Sequence, residues 1–138
     1  MRFLIACLFF VSPALACEAP FRAGLAAFAE ADATLSATEE SLYRGLGWAS
    51  RGAVVERLEA RSARTTACDE VGALQRDLAR ARRWVSEAET RFRLAQALCV
   101  GENRVRAARN LEALGDTADA IARQAAYLAS LTERCGGG

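Results

Sequence analysis

The chain has 138 residues with five cysteines and no histidine, and its 18 basic and 17 acidic residues leave a net charge of +1. The lack of imidazole excludes Ser–His and Cys–His catalytic dyads and histidine metal ligands. The balanced charge does not indicate a nucleic acid or an anionic membrane as the partner.

Residues 1–16 have the pattern of a secretory signal peptide. Arg2 supplies the positive charge, residues 3–11 are almost entirely apolar, and Ala14 and Ala16 form a small-residue cleavage site. This apolar run is too short to span a membrane, and no membrane span is expected later in the chain. We therefore predict a periplasmic or secreted protein that begins at Cys17. A lipid on Cys17 is the less favoured alternative, because Ala14 stands where a lipobox prefers leucine.

A first helix is predicted to begin near Pro20, a residue suited to a first helical turn. Its core-facing positions, called its seam here, follow one another at spacings of three and four residues. They are Phe21, Gly24, Phe28, Ala31, Leu35, Thr38 and Leu42. The glycines of Gly45-Leu46-Gly47 then predict a hairpin turn.

A second helix is predicted between Ser50, which can act as its N-cap, and Thr65. Trp48 lies at its entry. Its apolar face is thin and consists of Val54, Val55 and Leu58. Such a helix leaves part of a neighbouring helix face uncovered, and we expect a partner to dock there.

A third helix is predicted over residues 69–98, between Cys68 and Cys99. Its seam is an unbroken heptad pattern that consists of Val71, Leu74, Leu78, Ala81, Val85, Ala88, Phe92 and Ala95. Alanine at alternate seam positions lets neighbouring helices approach closely. Gly101, just beyond, indicates either a turn or a kink, and the sequence does not decide between them.

Two further helices are predicted after Gly101. The fourth carries Val105, Ala108, Leu111 and Leu114 and is expected to stop at Gly115. The fifth is expected to begin with Asp116 as its cap, and its seam leads to Cys135. The folded domain is therefore predicted over residues 17–135, and residues 136–138, all glycine, are expected to be disordered.

The predicted fold is all-α: an antiparallel helical bundle, or coiled-coil-like hairpins, of four to five helices with two disulfides. Cys17, Cys68, Cys99 and Cys135 remain after signal cleavage, and an even number in an oxidising compartment favours disulfides. They are too widely spaced for a zinc site, so no metal and no cofactor is expected.

Helix geometry excludes one of the three disulfide connectivities. A continuous helix between Cys68 and Cys99 would separate them by ~45 Å, whereas a disulfide needs Cα atoms within ~7 Å. Hairpin turns near Gly45 and Gly115 would bring Cys17 to Cys68 and Cys99 to Cys135. We therefore predict the pairs Cys17–Cys68 and Cys99–Cys135.

The most distinctive polar feature is the arginine cluster, defined as Arg76, Arg80, Arg82 and Arg83 with Trp84. It could bind an anionic partner, with Trp84 stacked on Arg80. The simpler interpretation is a solvated helix face balanced by Asp77 and Glu87, and we favour it.

No catalytic residues are predicted, because carboxylates on amphipathic helices usually form their solvated face. We expect a non-enzymatic protein-binding or scaffolding module of the bacterial envelope, whose partner is another envelope protein. The alternatives are a self-associating structural coiled coil and, less favoured, a binder of an anionic envelope ligand through the arginine cluster.

Overall fold

A computed structural model of the chain describes residues 13–44, 58 and 61–136. It contains three long α-helices: α1 spans Pro13–Arg44, α2 spans Arg61–Leu98 and α3 spans Gly101–Gly136. No strand occurs in these ranges. The all-α prediction is therefore confirmed, but the described ranges contain three long helices where four to five helices were expected for the chain.

The predicted break at Gly115 is wrong, because α3 continues through Gly115 and Asp116. One glycine inside a helix costs only ~1 kcal/mol relative to alanine. The buried residues of α3 stay in phase across it: Ala107, Leu114, Ile121 and Leu128 follow one another at seven-residue spacing. Continuous packing of this heptad outweighs the local cost of the glycine.

The first helix begins earlier than predicted, at Pro13, so that Pro20 lies inside α1. Residues 13–16 of the predicted signal peptide are thus continuous with α1. If the signal is removed after Ala16, Pro20 falls in the first turn of the shortened helix. Backbone N–H groups in a first turn have no carbonyl partner within the helix, so the N–H that proline lacks costs no hydrogen bond there. At the other end of the chain, Gly136 belongs to α3 and not to a disordered tail.

The predicted turn at Gly45-Leu46-Gly47, with Trp48, Ser50 and the valines of the second predicted helix, lies outside the described residues. Leu58 is the exception, since its side chain is buried in the same core cluster as Leu42. The residues from Arg61 to Thr65, placed at the end of that helix, belong to α2 instead.

Helix α2 is the central element, and both α1 and α3 pack along it in the antiparallel direction. At ~1.5 Å per residue its 38 residues make a rod of about 57 Å. Gly101 has φ +59° and directly follows the two non-helical residues after α2, so it forms a turn and not a kink. Helices α1 and α3 run parallel to each other and touch at few places.

The predicted α2 seam forms the middle of the core. Seven of its eight residues are buried and Val85 is half-buried. Ala81, Ala88 and Ala95 have no exposed surface, as expected where neighbouring backbones approach closely. On α1, the predicted seam is likewise buried except for half-buried Phe28.

The structure corrects the predicted disulfide connectivity. The bonds are Cys17–Cys99, with Cα atoms 4.9 Å apart, and Cys68–Cys135, with Cα atoms 5.9 Å apart. The predicted pairing was wrong because it placed a hairpin turn at Gly115. The turn before Gly101 lies about midway between Cys68 and Cys135, so an antiparallel hairpin brings these two residues together. The other bond, Cys17–Cys99, ties the start of α1 to the end of α2.

Gly24 is predicted to be intolerant of any side chain. A Cβ at this position would lie 2.8 Å from two ring carbons of Phe92, which is fully buried. We expect Gly24→Ala to lower the free energy of unfolding by about 1–3 kcal/mol despite the better helix propensity of alanine. Chemical denaturation followed by circular dichroism measures this change.

Gly115→Ala is the matched control, since no atom lies within 4 Å of a Cβ built there. Alanine should stabilise this exposed helical position by about 0.5–1 kcal/mol. A loss of stability in Gly115→Ala, or no loss in Gly24→Ala, would contradict the packing described for α1 and α3.

Candidate functional site

The structure divides the arginine cluster between two sides of α2. Arg80, Arg83, Trp84 and Glu87 line one shallow surface depression. Arg80 donates to Asp77 over 2.9 Å, and Glu87 accepts from Arg91 over 2.7 Å. Asp77 thus neutralises Arg80, whereas Glu87 is paired with Arg91, an arginine outside the cluster. Half-buried Trp84 packs against the core.

Arg82 lies apart from the other cluster residues, in a depression between α2 and α3 that is lined mainly by alanines. Arg76 is exposed one turn before Arg80. An anion held by Arg80 and Arg83 would therefore be out of line with Arg82. This geometry favours the solvated-face interpretation over an assembled anion site.

A groove lies between the two helices that flank α2. It has a volume of about 690 Å³ and is called the α1–α3 groove here. It is lined by Glu39, Ala120, Arg123, Gln124, Ala126, Tyr127 and Ser130. The groove exists because α1 and α3 both follow α2 and make few contacts with each other.

Gln124 is the buried polar residue of this groove, with 1% of its surface exposed. Its Nε2 donates to Glu39 Oε1 over 2.8 Å and so links α3 to α1. Its Oε1 is buried and accepts no hydrogen bond from any described residue. A buried amide oxygen without a donor is costly, which makes Gln124 a candidate to receive a hydrogen bond from a bound partner.

Gln124 was missed in the sequence analysis because a glutamine in an Ala-rich helix is usually exposed to solvent. Its position does carry a signal. It lies three residues after Ile121 and four before Leu128, both of which are buried. A polar residue at core-facing spacing is the pattern that indicates a buried amide.

Large exposed hydrophobic residues gather at the end of the molecule where α2 turns into α3. They are Leu25, Leu94, Leu98, Val100 and Val105, called the turn patch here. Tyr43, near the opposite end of α1, is the sixth such residue that the structure describes. Leu25, Leu98 and Val100 line one depression together with Arg106. Single exposed hydrophobic residues are ordinary, but a group of five at one end indicates an interaction surface.

Within the described ranges, no group of three or more acidic or cysteine side chains is placed to hold a metal ion. None of the three helices is long and apolar enough to cross a membrane. The interaction surfaces of the described residues include the α1–α3 groove, the turn patch and the divided arginine cluster.

No protein-family model, curated protein or solved structure matches this chain. The functional interpretation therefore depends on these surfaces alone.

Proposed function

We propose that this protein is an exported, non-enzymatic scaffold of the bacterial envelope that binds another protein in its α1–α3 groove. The observation that carries this proposal is that Gln124, a residue lining the groove, has a buried amide oxygen without a donor among the described residues. A bound protein segment can supply the missing N–H or O–H group.

The shape of the groove favours a helical segment as the ligand. Two parallel helices that both pack along α2 and make few contacts with each other leave a furrow along which a further helix can lie and extend the bundle. Small side chains at Ala120 and Ala126 allow close approach, and exposed Arg123 and Ser130 supply a polar rim. An amphipathic helix with a donor near Gln124 meets these requirements.

Export is proposed on the leader pattern of residues 1–16 and is supported by the two disulfides, which persist in oxidising compartments. In the structure the Cys17 sulfur is bonded to Cys99, and a lipid would need the same sulfur. The disulfide and lipidation are therefore mutually exclusive, and we propose a protein without a lipid at its N-terminus.

Gln124→Leu is expected to separate binding from folding. Replacing an amide that has one unsatisfied oxygen by an apolar group of similar size should change the free energy of unfolding by less than about 1 kcal/mol. Partner binding should fall several-fold because the acceptor is lost. A photo-crosslinking residue at Ser130, in the groove, reports binding in the intact cell by its yield of covalent adduct.

Gln75→Leu is the matched control. Gln75 donates to Thr132 over 2.8 Å between α2 and α3, outside the groove. The same chemical change there should leave the adduct unchanged. Adduct yield at Ser130 that is insensitive to Gln124→Leu would reject the groove as the binding site.

The photo-crosslinking experiment also tests the two alternative functions. A covalent dimer of the chain itself as the adduct at Ser130 would favour the self-associating coiled coil. A crosslinker at Arg83 that captures a partner while Ser130 captures none would favour the arginine cluster. A distinct protein captured at Ser130 supports the scaffold.

A further inference from the structure

We propose that the turn patch docks on an anionic phospholipid surface, so that the rod stands with this end on a membrane. This inference concerns a different surface from the α1–α3 groove and does not depend on it. Two properties of the patch carry it: its exposed apolar residues and the excess of arginine beside them.

The apolar residues at the tip of the rod are well exposed. Val100 lies in the connection between α2 and α3, at the extreme end of both helices, and 83% of its surface is exposed. Leu98 and Val105, on either side of the turn, are about half exposed. Side chains at the tip of a hairpin can enter the headgroup region of a bilayer while the helices stay outside it.

The local charge differs from the balanced charge of the whole chain. Residues 101–110 carry Arg104, Arg106 and Arg109 against one carboxylate, Glu102. All three arginines are exposed. Neither Arg104 nor Arg109 forms an ion pair with a described residue, and the Arg106 guanidinium lies 5.3 Å from the centre of the Phe21 ring.

The remaining arginines at this end are neutralised by neighbours on their own helices. Arg22 pairs with Glu18, Arg91 with Glu87 and Arg93 with Glu89. The positive excess is therefore confined to the start of α3, beside the exposed valines. Basic residues flanking an apolar tip favour anionic lipid, because each arginine near such a surface is attracted by its negative potential.

A second copy of the chain fits the patch less well than lipid does. A symmetric contact between two turn patches would bring the unpaired arginines of both copies together, and like charges at an interface oppose association.

Vesicle cosedimentation tests this proposal on the chain purified after export, with its N-terminus identified by mass spectrometry. The probes are vesicles of phosphatidylglycerol mixed with phosphatidylcholine, and vesicles of phosphatidylcholine alone. We expect binding to the anionic vesicles that weakens as salt is added, and at least tenfold weaker binding to the neutral ones.

Two variants and two matched controls locate the surface. Val100→Asp should weaken vesicle binding about tenfold, whereas Tyr43→Asp, at the opposite end of the rod, should not. The double variant R104E/R109E should weaken binding roughly thirtyfold or more, whereas R82E/R83E makes the same charge change near the middle of α2 and should have much less effect. Circular dichroism confirms that each variant is folded.

Equal binding to both vesicle types, or equal losses in the patch variants and their controls, would overturn the proposal. So would a folded chain that binds neither vesicle. If Val100→Asp leaves vesicle binding unchanged but abolishes capture of a protein by a photo-crosslinker at Leu98, the patch is a protein interface instead. Binding that fails only in Val100→Asp and R104E/R109E supports lipid docking.

Discussion

Reduction of both disulfides should lower the free energy of unfolding by about 6–9 kcal/mol and the melting temperature by at least ~20 °C. The bonds join residues 82 and 67 positions apart in sequence. In the chain-entropy model, loops of this size each contribute about 4 kcal/mol by restricting the unfolded chain. Because small domains are stable by only ~5–15 kcal/mol, the reduced protein should be marginally folded. Thermal melts with and without reductant measure the difference.

Double cysteine variants test which cysteines are bonded to each other. In C17A/C99A one bond is removed cleanly and Cys68–Cys135 remains, so a thiol assay of the unfolded protein without residues 1–16, which contain Cys7, should detect no free thiol. In C17A/C68A, two partners are lost from two different bonds, so Cys99 and Cys135 should both react. The opposite assay results would restore the pairing Cys17–Cys68 and Cys99–Cys135.

The two bonds should also differ in their access to reductant. Cys17 and Cys99 are buried in the core, whereas Cys68 and Cys135 are half-buried. A mild reductant is therefore expected to open Cys68–Cys135 first. Alkylation and peptide mapping at short times would identify which pair reacts.

Phe92→Ala should lower the free energy of unfolding by about 3–5 kcal/mol, the largest effect expected of a single substitution in the described core. The Phe92 side chain has no exposed surface. Its ring makes edge contacts with the rings of Phe21, centroids 6.0 Å apart, and Phe28, centroids 6.4 Å apart. Alanine would leave a cavity between α1 and α2 that rigid helices cannot close, and urea denaturation measures the loss.

Leu94→Ala is the control for Phe92→Ala, because Leu94 lies on the same helix but is 45% exposed. Its truncation should cost less than about 1 kcal/mol. Similar losses in the two variants would mean that α2 presents a different face to the core.

Much of the helical pattern could be read from the sequence. The seams of α1 and α2 were predicted residue by residue, because a helix packed on one side repeats its apolar residues every three or four positions. The number of helices could not be predicted in this way. Gly115 has the local character of a stop, yet the heptad from Ala107 to Leu128 continues past it. Long-range packing outweighed a local preference of ~1 kcal/mol.

Most of the interaction surfaces could not be predicted from the sequence. Gln124 is spaced like a core residue, but its unpaired oxygen depends on where α1 passes α3. The exposed residues of the turn patch come from all three described helices and their connection, so their proximity is a property of the folded chain. The arginine cluster, contiguous in sequence, is divided because successive helical residues point in different directions.

By itself, the sequence determined the all-helical class, the core-facing positions of α1 and α2 and the absence of histidine chemistry. These are local properties, set by residue type and by helical periodicity. Which cysteines pair, and which surfaces remain open, was decided only by the tertiary structure. Both depend on where the chain reverses direction. The reversal between α2 and α3 occurs at Gly101, where a glycine with positive φ follows a break in the helix. It does not occur at Gly115, where the packed heptad continues.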